Sequence, residues 1–469
     1  MQQYLNKRML EMKILITGAT GFVGSRLIES LFLMGHANIR ILTRNRLSAL
    51  NHIPFPVEVY EWDPDTSLIE DGALVGVNAV IHLAGESVAE GRWTAEKKEK
   101  ILSSRLKSTQ LLIETIKQQQ YPPQKFISAS AIGIYGDRGE ESLNGDSANG
   151  KGFLADVCKQ WEELSLYHGI SAMNSHVLRV GIVLGENGGA LKKMLPPFKA
   201  GVGGKLGSGD QYMSWIHIDD LVGQFIFMLE NKMQHKEYNG VSPRPVSNYI
   251  FTKILGRELN RPTLFPVPAI GLKILFGEMS KILLASQKVI PTRLMQEGYA
   301  WKFRSLKDAL RDILIHDNKG EEVIKKYQWV FKAPKEVFSF FSNEKNLEKI
   351  TPAYMNFKVL GKNTSKIQQG TLIDYKFKIH GFPLTWTSKI NSFQDEKQFI
   401  DEQVSGPYQK WVHTHNFYEV KSGTLIKDEI VYKVPFGFFG KLIAGSFVKK
   451  DLRNIFNFRH KYINQYFNL

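Results

Sequence analysis

Gly18-Ala19-Thr20-Gly21-Phe22-Val23-Gly24 is the stretch of this chain whose residue types and spacing most directly allow chemistry. Glycines at every third position strip side chains from a turn, so main-chain N–H groups and the positive end of a helix can approach a pyrophosphate. Glycines that merely turn the chain are the alternative. Context favours the nucleotide: a short apolar run, Lys13–Thr17, precedes the motif, and apolar residues at helical spacing follow it from Phe22 to Leu33. A second strand, Asn38–Thr43, ends in Thr43-Arg44-Asn45-Arg46. At that point an NAD-binding chain usually offers Asp or Glu to the ribose hydroxyls, whereas Arg44 suits a 2′-phosphate. NADP is therefore expected ahead of NAD.

The elements that must position this turn repeat along the chain. Val57–Trp62, Ala79–Leu83, Lys125–Ser130 and His176–Val180 read as strands, and Thr94–Gln119 and Phe153–His168 read as helices between them. Strands alternating with helices predict an α/β, doubly wound parallel sheet of Rossmann type, covered on both faces. From about residue 190 to 313 the texture shifts to Gly- and Pro-rich loops with short helices, the composition expected of a small substrate lobe. A polar stretch, His316–Glu322, follows a helix predicted over Leu306–Leu314 and marks the domain boundary. Beyond it, strands of period two are expected at Thr371–Ile379, Leu384–Ser392, Gln398–Val404, Lys410–Val420 and Thr424–Val434. Phe439, Leu442, Ile443, Phe447, Leu452, Ile455, Phe456, Tyr462, Ile463 and Tyr466 trace one face of a long closing helix. The two domains are thus placed at 12–313 and 322–469, the second an α+β sheet wrapped on one helix.

Composition narrows the function classes. The 469 residues exceed one ordinary core, and 43% hydrophobic and 23% charged residues are usual for globular chains. A single cysteine, Cys158, excludes an internal disulfide and a cysteine zinc cage, and it fits a reducing, cytoplasmic setting. The polar Met1–Glu11 stretch predicts neither a signal peptide nor a transmembrane segment, and Met9 or Met12 are alternative starts. From Glu321 onward 23 Lys and Arg stand against 14 Asp and Glu, so +9 of the chain's +15 lies in the C-terminal third. Those lysines are scattered singly along strands, which indicates a solvated face rather than a nucleic-acid groove. A metal site is not expected: His413 and His415 are the only close histidine pair, and their strand carries no further acidic or cysteine ligand nearby.

GATGFVG at 18–24, HLAGE at 82–86, SASAIGIYG at 128–136, FLADVCKQWEE at 153–163, LRVGIVLG at 178–185 and WIHIDDLV at 215–222 together resemble the extended short-chain dehydrogenase/reductase superfamily. GRELNRPTLFPVP at 256–268 and MQEGYAWKF at 295–303 narrow the resemblance to its epimerase-family branch, NAD-dependent epimerase/dehydratase-like. The resemblance implies that Leu83, Ala84 and Gly85 line the cofactor beside the ribose and nicotinamide. It places Ser130 where the superfamily keeps a serine or threonine that hydrogen-bonds the substrate, with capping of a strand end as the alternative. Lys159 stands in the helix of the superfamily's Tyr-x-x-x-Lys pair, yet Ala155 occupies the tyrosine's place, so the usual proton carrier is missing. Tyr135 is the nearest other phenol, and Lys159 either touches the ribose or lies on the helix surface. Arg105 falls where an active-site asparagine is usual; a surface arginine is its plain alternative. His217 either reaches substrate or is a buried histidine beside a helix cap at Asp219. Asp63 either meets the adenine or forms an Asp-Pro turn.

APKEVFSFF at 333–341, NLEKITP at 346–352, GPYQKWVHTH at 406–415 and GTLIKDEIVYKVPFG at 423–437 resemble the START-like, polyketide-cyclase-like superfamily. That resemblance implies a helix-grip fold around an apolar cavity and a hydrophobic ligand. Phe377, Phe382, Trp386, Phe393, Phe399, Trp411, Phe417, Tyr432, Phe436 and Phe438 lie on or near its strands, most of them expected in the core. The combined expectation is an NADP-dependent oxidoreductase or epimerase-like enzyme acting on a small-molecule substrate. The alternatives are a non-catalytic NADP-binding regulator, or a lipid or isoprenoid carrier with a regulatory reductase-like domain.

Overall fold

Strands made almost wholly of Ile, Val and Leu need cover on both faces, and the first half of the chain supplies it. The computed structural model describes residues 11–186, 188–435 and 437–467, side chains at 318 and 437–446 excepted. The chain divides into two compact units, one running to Ile315 and one from His316, with Pro54–Pro56 grouped with the second.

The first unit contains β1 (Ile14–Thr17), α1 (Phe22–Leu33), β2 (Ile39–Thr43), α2 (Arg46–His52), β3 (Glu58–Asp63), β4 (Leu68–Ile69), β5 (Ala79–His82), α3 (Ala95–Lys117), β6 (Lys125–Ala131), α4 (Phe153–Leu166), β7 (Asn174–Val180), α5 (Ile218–Glu230) and β8 (Glu237–Gly240). These strands form one sheet in the order β8-β7-β6-β5-β1-β2-β3-β4, parallel except for β4. Ile14, Leu15, Ile16, Ala79, Val80 and Ile81 are fully buried. Leu15, Leu42 and Val80 pack against Leu112 and Ile116 of α3. On α1, Arg26 ties to Asp219 of α5 through Nε and Nη2, at 2.9 and 2.8 Å.

The region expected to be a loop-rich lobe returns to this core. Its Ile218–Glu230 segment is a 13-residue helix with Leu221, Val222, Phe225, Met228 and Leu229 buried, and Glu237–Gly240 completes the sheet's edge. The flanking glycines and prolines hid a helical face that the spacing does carry. Asp220, at the start of α5, holds the tail segment: its Oδ1 accepts from Lys302 N–H at 2.7 Å and its Oδ2 from Phe303 N–H at 2.9 Å. The last helix of this region is longer than expected. Helix α6 (Leu306–Lys319) continues into the polar stretch and ends within it, and the next strand begins at Glu322. Polar residues there cover a helix end rather than a bridge.

The second unit is a seven-stranded antiparallel sheet of β9 (Glu322–Val330), β10 (Lys358–Lys362), β11 (Leu372–Ile379), β12 (Phe382–Gln394), β13 (Gln398–Ser405), β14 (Lys410–Val420) and β15 (Gly423–Lys433), ordered β9-β15-β14-β13-β12-β11-β10. Helix α7 (Pro334–Phe341) inserts after β9, and the 31-residue α8 (Gly437–Phe467) closes the unit. β9 and β10 escape a period-two reading because lysines crowd the first and a glycine and a register shift interrupt the second. On α8, Leu452, Phe456 and Ile463 are buried as expected, whereas Phe447 and Tyr466 are exposed. Phe436 and the side chains of Phe438, Phe439, Leu442 and Ile443 lie outside the described residues, as do Met1 and Met9. Phe393 and Phe417 pack in the core and Phe382 is exposed. Among the described residues no helix is long and apolar enough to cross a membrane.

Asp220→Asn should be costly, because the amide sets an NH₂ against a buried N–H donor. A loss of about 3 kcal/mol in unfolding free energy is expected, measured by urea denaturation; an unchanged midpoint would contradict the clamp.

Candidate functional site

The carboxyl ends of β1 and β5 lie side by side where the strand order reverses, the crevice in which open parallel sheets bind ligands. Gly18 leaves β1 with φ +66°, and a Cβ there would stand 2.8 Å from the Leu83 carbonyl carbon and oxygen. A Cβ on Gly24 would lie 2.3 Å from the Gly18 oxygen. These two glycines let the turn pass β5 and let α1 pack on the turn. Gly21 is exposed and N-caps α1 without any side-chain cap, and no acidic residue sits in the first turn. An uncapped N-terminus on a 12-residue helix is the arrangement that fits a pyrophosphate. Thr20 is exposed beside it and Val23 half-buried. The Phe22 ring is held by glycines opposite: a Cβ on Gly188 would lie 2.3 Å from it.

Behind the turn runs an ordered chain of hydrogen bonds that no motif announced. Leu83 and Ala84 N–H donate to Thr17 Oγ1 at 3.1 and 3.2 Å. Thr17 Oγ1 lies 2.7 Å from His82 Nδ1, His82 Nε2 lies 3.0 Å from Thr109 Oγ1, and Thr109 donates to the Arg105 carbonyl at 2.7 Å. Since Thr109 spends its proton on a carbonyl, it accepts from His82 Nε2–H, and His82 Nδ1 accepts from Thr17. Burial pushes the His82 pKa down to about 3, with the Arg105 charge a lesser cause, so the ring is neutral. The relay fixes Leu83 and Ala84 at one end and the Arg105 turn at the other.

Arg105 is not on an open helix face. Its guanidinium lies 5.1 Å from the centre of the Trp161 ring, a Cβ on Gly85 would stand 3.1 Å from its Cζ, and it makes no ion pair among the described residues. Burial presses its pKa down. Arg44 is exposed at the end of β2 and has no ion-pair or hydrogen-bond partner among the described residues, while its neighbour Arg46 is paired to Glu70. Asn45 caps α2 through Ser48 N–H. Asp63 forms the turn of the plainer reading, accepting from Asp65 N–H at 3.0 Å.

The candidate proton carriers lie inside the protein. Ser130 is buried and donates to Glu162 Oε1 at 2.6 Å, so its one proton is committed. Glu162 takes two bonds from Arg179, at 2.9 and 2.8 Å, and Arg179 Nη1 donates to the Tyr135 hydroxyl at 2.9 Å. That hydroxyl also lies 2.8 Å from the Asn144 carbonyl and 2.7 Å from Asn239 Oδ1. Burial raises the Tyr135 pKa and the side chain is inaccessible, which corrects its candidacy as acid or base. Ala155 is buried, and Lys159 is exposed with no partner among the described residues. Cys158 is buried, its pKa pushed up to about 11. His217 takes its buried alternative and is itself the cap of α5, accepting from Asp219 N–H at 3.1 Å, its ring tilted against Phe303 at 4.0 Å and its pKa lowered to about 4 by burial.

In the second unit a cavity of about 170 Å³ opens among Phe377, Trp386, Phe399, Trp411 and Phe456. Its polar wall carries Asp401, His413, His415 and Arg459. This overturns the expectation that the histidine pair has no acidic neighbour: Asp401 comes from β13 and Asp428 from β15, each set opposite a histidine by the sheet register.

Comparisons with known proteins follow this division. The family model described as NAD dependent epimerase/dehydratase family matches residues 14–240, a Domain of unknown function (DUF1731) matches 267–313, and Polyketide cyclase / dehydrase and lipid transport matches 332–458. The Arabidopsis thaliana protein "Epimerase family protein SDR39U1 homolog, chloroplastic" is 38% identical over 313 residues, covering 65% of this chain and 87% of that protein. The Mus musculus "Epimerase family protein SDR39U1" is 34% identical over 307 residues, 65% of this chain and all (100%) of that one. The crystal structure of human epimerase family protein SDR39U1 (isoform 2) with NADPH is similar at 33% identity and a TM-score of 0.59, over 64% of this chain and 99% of that chain.

Two outcomes test the buried polar machinery. Glu162→Ala strands the Arg179 cation and should cost about 3–5 kcal/mol by urea denaturation. For His82 the folded pKa lies below the unfolded value of 6.5. Its stability is therefore full above pH 6.5 and is lost as pH falls toward 3, because only the unfolded chain takes the proton in that window. The slope contributed is up to about 1.4 kcal/mol per pH unit. His217 has the same sign, so the check is that His82→Asn flattens, without abolishing, the fall in stability between pH 7 and pH 5.

Proposed function

The chain belongs to the NAD dependent epimerase/dehydratase family, beside the epimerase family proteins named for SDR39U1, and on that premise we propose that its first unit is an NADP-dependent oxidoreductase or epimerase-like enzyme. The observation that carries this reading is the pairing of a turn only glycines can fill with an exposed Arg44 just after β2 that has no ion-pair partner among the described residues. Gly18, Gly21 and Gly24 bring the first N–H groups of α1 to the diphosphate, with Thr20, Phe22 and Val23 flanking it. Arg44 meets the 2′-phosphate, and Asp63 borders the adenine side. Leu83, Ala84 and Gly85 line the ribose and nicotinamide, with Arg105 behind Gly85. The NADPH of the human relative supports the same cofactor here. When bound, a nicotinamide dinucleotide supplies hydride transfer.

The chain's own residues then limit what the substrate meets. Ser130, its proton given to Glu162, can only accept, so it suits a substrate hydroxyl rather than a carbonyl. Lys159 is left as a cation near the ribose. The second unit binds a hydrophobic ligand in its aromatic cavity, in keeping with its match to polyketide cyclase and lipid transport proteins. A second reading, a non-catalytic NADP-binding regulator, is favoured by one observation: Ala155 replaces the phenol and Tyr135 is sealed away.

Calorimetry with NADPH and NADH, on wild type and Arg44→Ala, tests the cofactor. Loss of one charge-assisted contact should weaken NADPH by about 10- to 100-fold and leave NADH unchanged. Equal affinities in both proteins would defeat the NADP assignment. Oxidation of NADPH against a panel of carbonyl compounds separates the two functional readings, since tight binding without turnover favours the regulator.

A further inference from the structure

His413 and His415 are alternate residues of β14 and share its inner face; the antiparallel register sets Asp401 of β13 opposite His413 and Asp428 of β15 opposite His415. Four side chains distant in sequence thereby meet at the polar wall of the cavity. Asp401 Oδ2 stands 3.3 Å from His415 Nε2 and 3.7 Å from His413 Nδ1. One ligand atom from each of these three residues lies within 4.8 Å of the others. Such separations are the edges of a coordination shell whose bonds are about 2.0–2.2 Å long, the lengths that imidazole and carboxylate make to zinc.

The far sides of both rings carry the second half of the observation. His413 Nε2 hydrogen-bonds Asp428 Oδ1 at 3.2 Å, and His415 Nδ1 lies 2.6 Å from the same oxygen as an ion-pair contact outside hydrogen-bond geometry. Metal-ligating histidines characteristically turn their other ring nitrogen to a carboxylate, which sets tautomer and orientation. Asp401, His413 and His415 line the cavity whereas Asp428 does not. Behind Asp428 stands Arg459, about nine-tenths buried, with Nη1 3.9 Å from Asp428 Oδ2 and its Nε without a hydrogen-bond partner among the described residues.

We propose that Asp401, His413 and His415 form a site for a divalent first-row transition ion such as Zn²⁺ or Fe²⁺, with Asp428 as the outer carboxylate behind both imidazoles, hydrogen-bonded to His413. Two nitrogens and one carboxylate oxygen select that class over Ca²⁺ and Mg²⁺. The three ligands come from the wall of an apolar cavity, so the remaining coordination positions face the cavity's occupant. An oxygen donor on that molecule, a carbonyl, carboxylate or hydroxyl, would complete the shell while its apolar body lies among Phe399, Trp411 and Phe456.

The test uses the full-length protein stripped with chelator, with Co²⁺ as spectroscopic probe and Zn²⁺ as competitor. Wild type should take up one equivalent of Co²⁺ with a ligand-field spectrum of mixed nitrogen and oxygen donors, release it to Zn²⁺, and melt at a higher temperature with metal than without. Asp401→Asn and His415→Gln should weaken binding at least about 100-fold, and Asp428→Asn about 10- to 100-fold, with near-ultraviolet circular dichroism and NADPH affinity reporting whether each variant is folded. The wild-type titration decides the matter even where a variant does not fold. Absence of a saturable one-to-one site, a spectrum without nitrogen ligands, or equal affinity in wild type and folded variants would overturn the proposal and leave the cluster an ion-paired network only.

Discussion

The backbone leaving β1 runs so close to the end of β5 that a side chain at residue 18 would enter the Leu83 carbonyl. The first unit is organised around that approach. It aligns the start of α1 with the crevice and puts the Thr17 hydroxyl under the amides of Leu83 and Ala84. Through His82 and Thr109 it sets the turn of α3 that carries Arg105. A neutral, fully buried imidazole suits this place because it accepts at one nitrogen and donates at the other. It joins two hydroxyls of opposite polarity without placing a charge in the sheet.

A second buried network links β6, α4, β7 and β8, and it is charged. Glu162 and Arg179 compensate one another, and Ser130, Tyr135 and Asn239 satisfy what is left over. Such a network is expensive to break and gives little net stability beyond a well-packed apolar core, so its use is better sought in orientation. Its visible effect is to commit the Ser130 proton to Glu162 and to hold the Tyr135 hydroxyl between Arg179 and Asn239.

The second unit solves a different problem. Its sheet must be apolar on the inner face to hold α8, yet three neighbouring strands each deliver a titratable group to that face. These groups survive burial because they face one another. Asp401 and Asp428 are held below the usual carboxylate range, in spite of burial, chiefly by the histidines between them. Aromatic residues surround them, Phe399 stacked on His415 at 4.2 Å among them, and so lower the local dielectric in which the cluster's charges interact.

Local pattern carried most of the architecture. Unbroken apolar runs named the parallel strands, period-two alternation named β11 to β15 nearly to the residue, and the glycine spacing marked the turn between β1 and α1, because each depends on neighbours within a few positions. What distance in the chain conceals was decided by folding. His82 read as one more strand residue until β1 and α3 brought it Thr17 and Thr109. The sequence could not show that the Tyr135 hydroxyl is held by Arg179 and Asn239, or that Ser130 gives its proton to Glu162. His413 and His415 looked ligand-poor because their acidic partners stand 12 or more positions away along the chain and one strand away in the sheet. Secondary structure is written by near neighbours; a binding site is made by side chains that only the register and the packing of elements can bring within a few ångströms of each other.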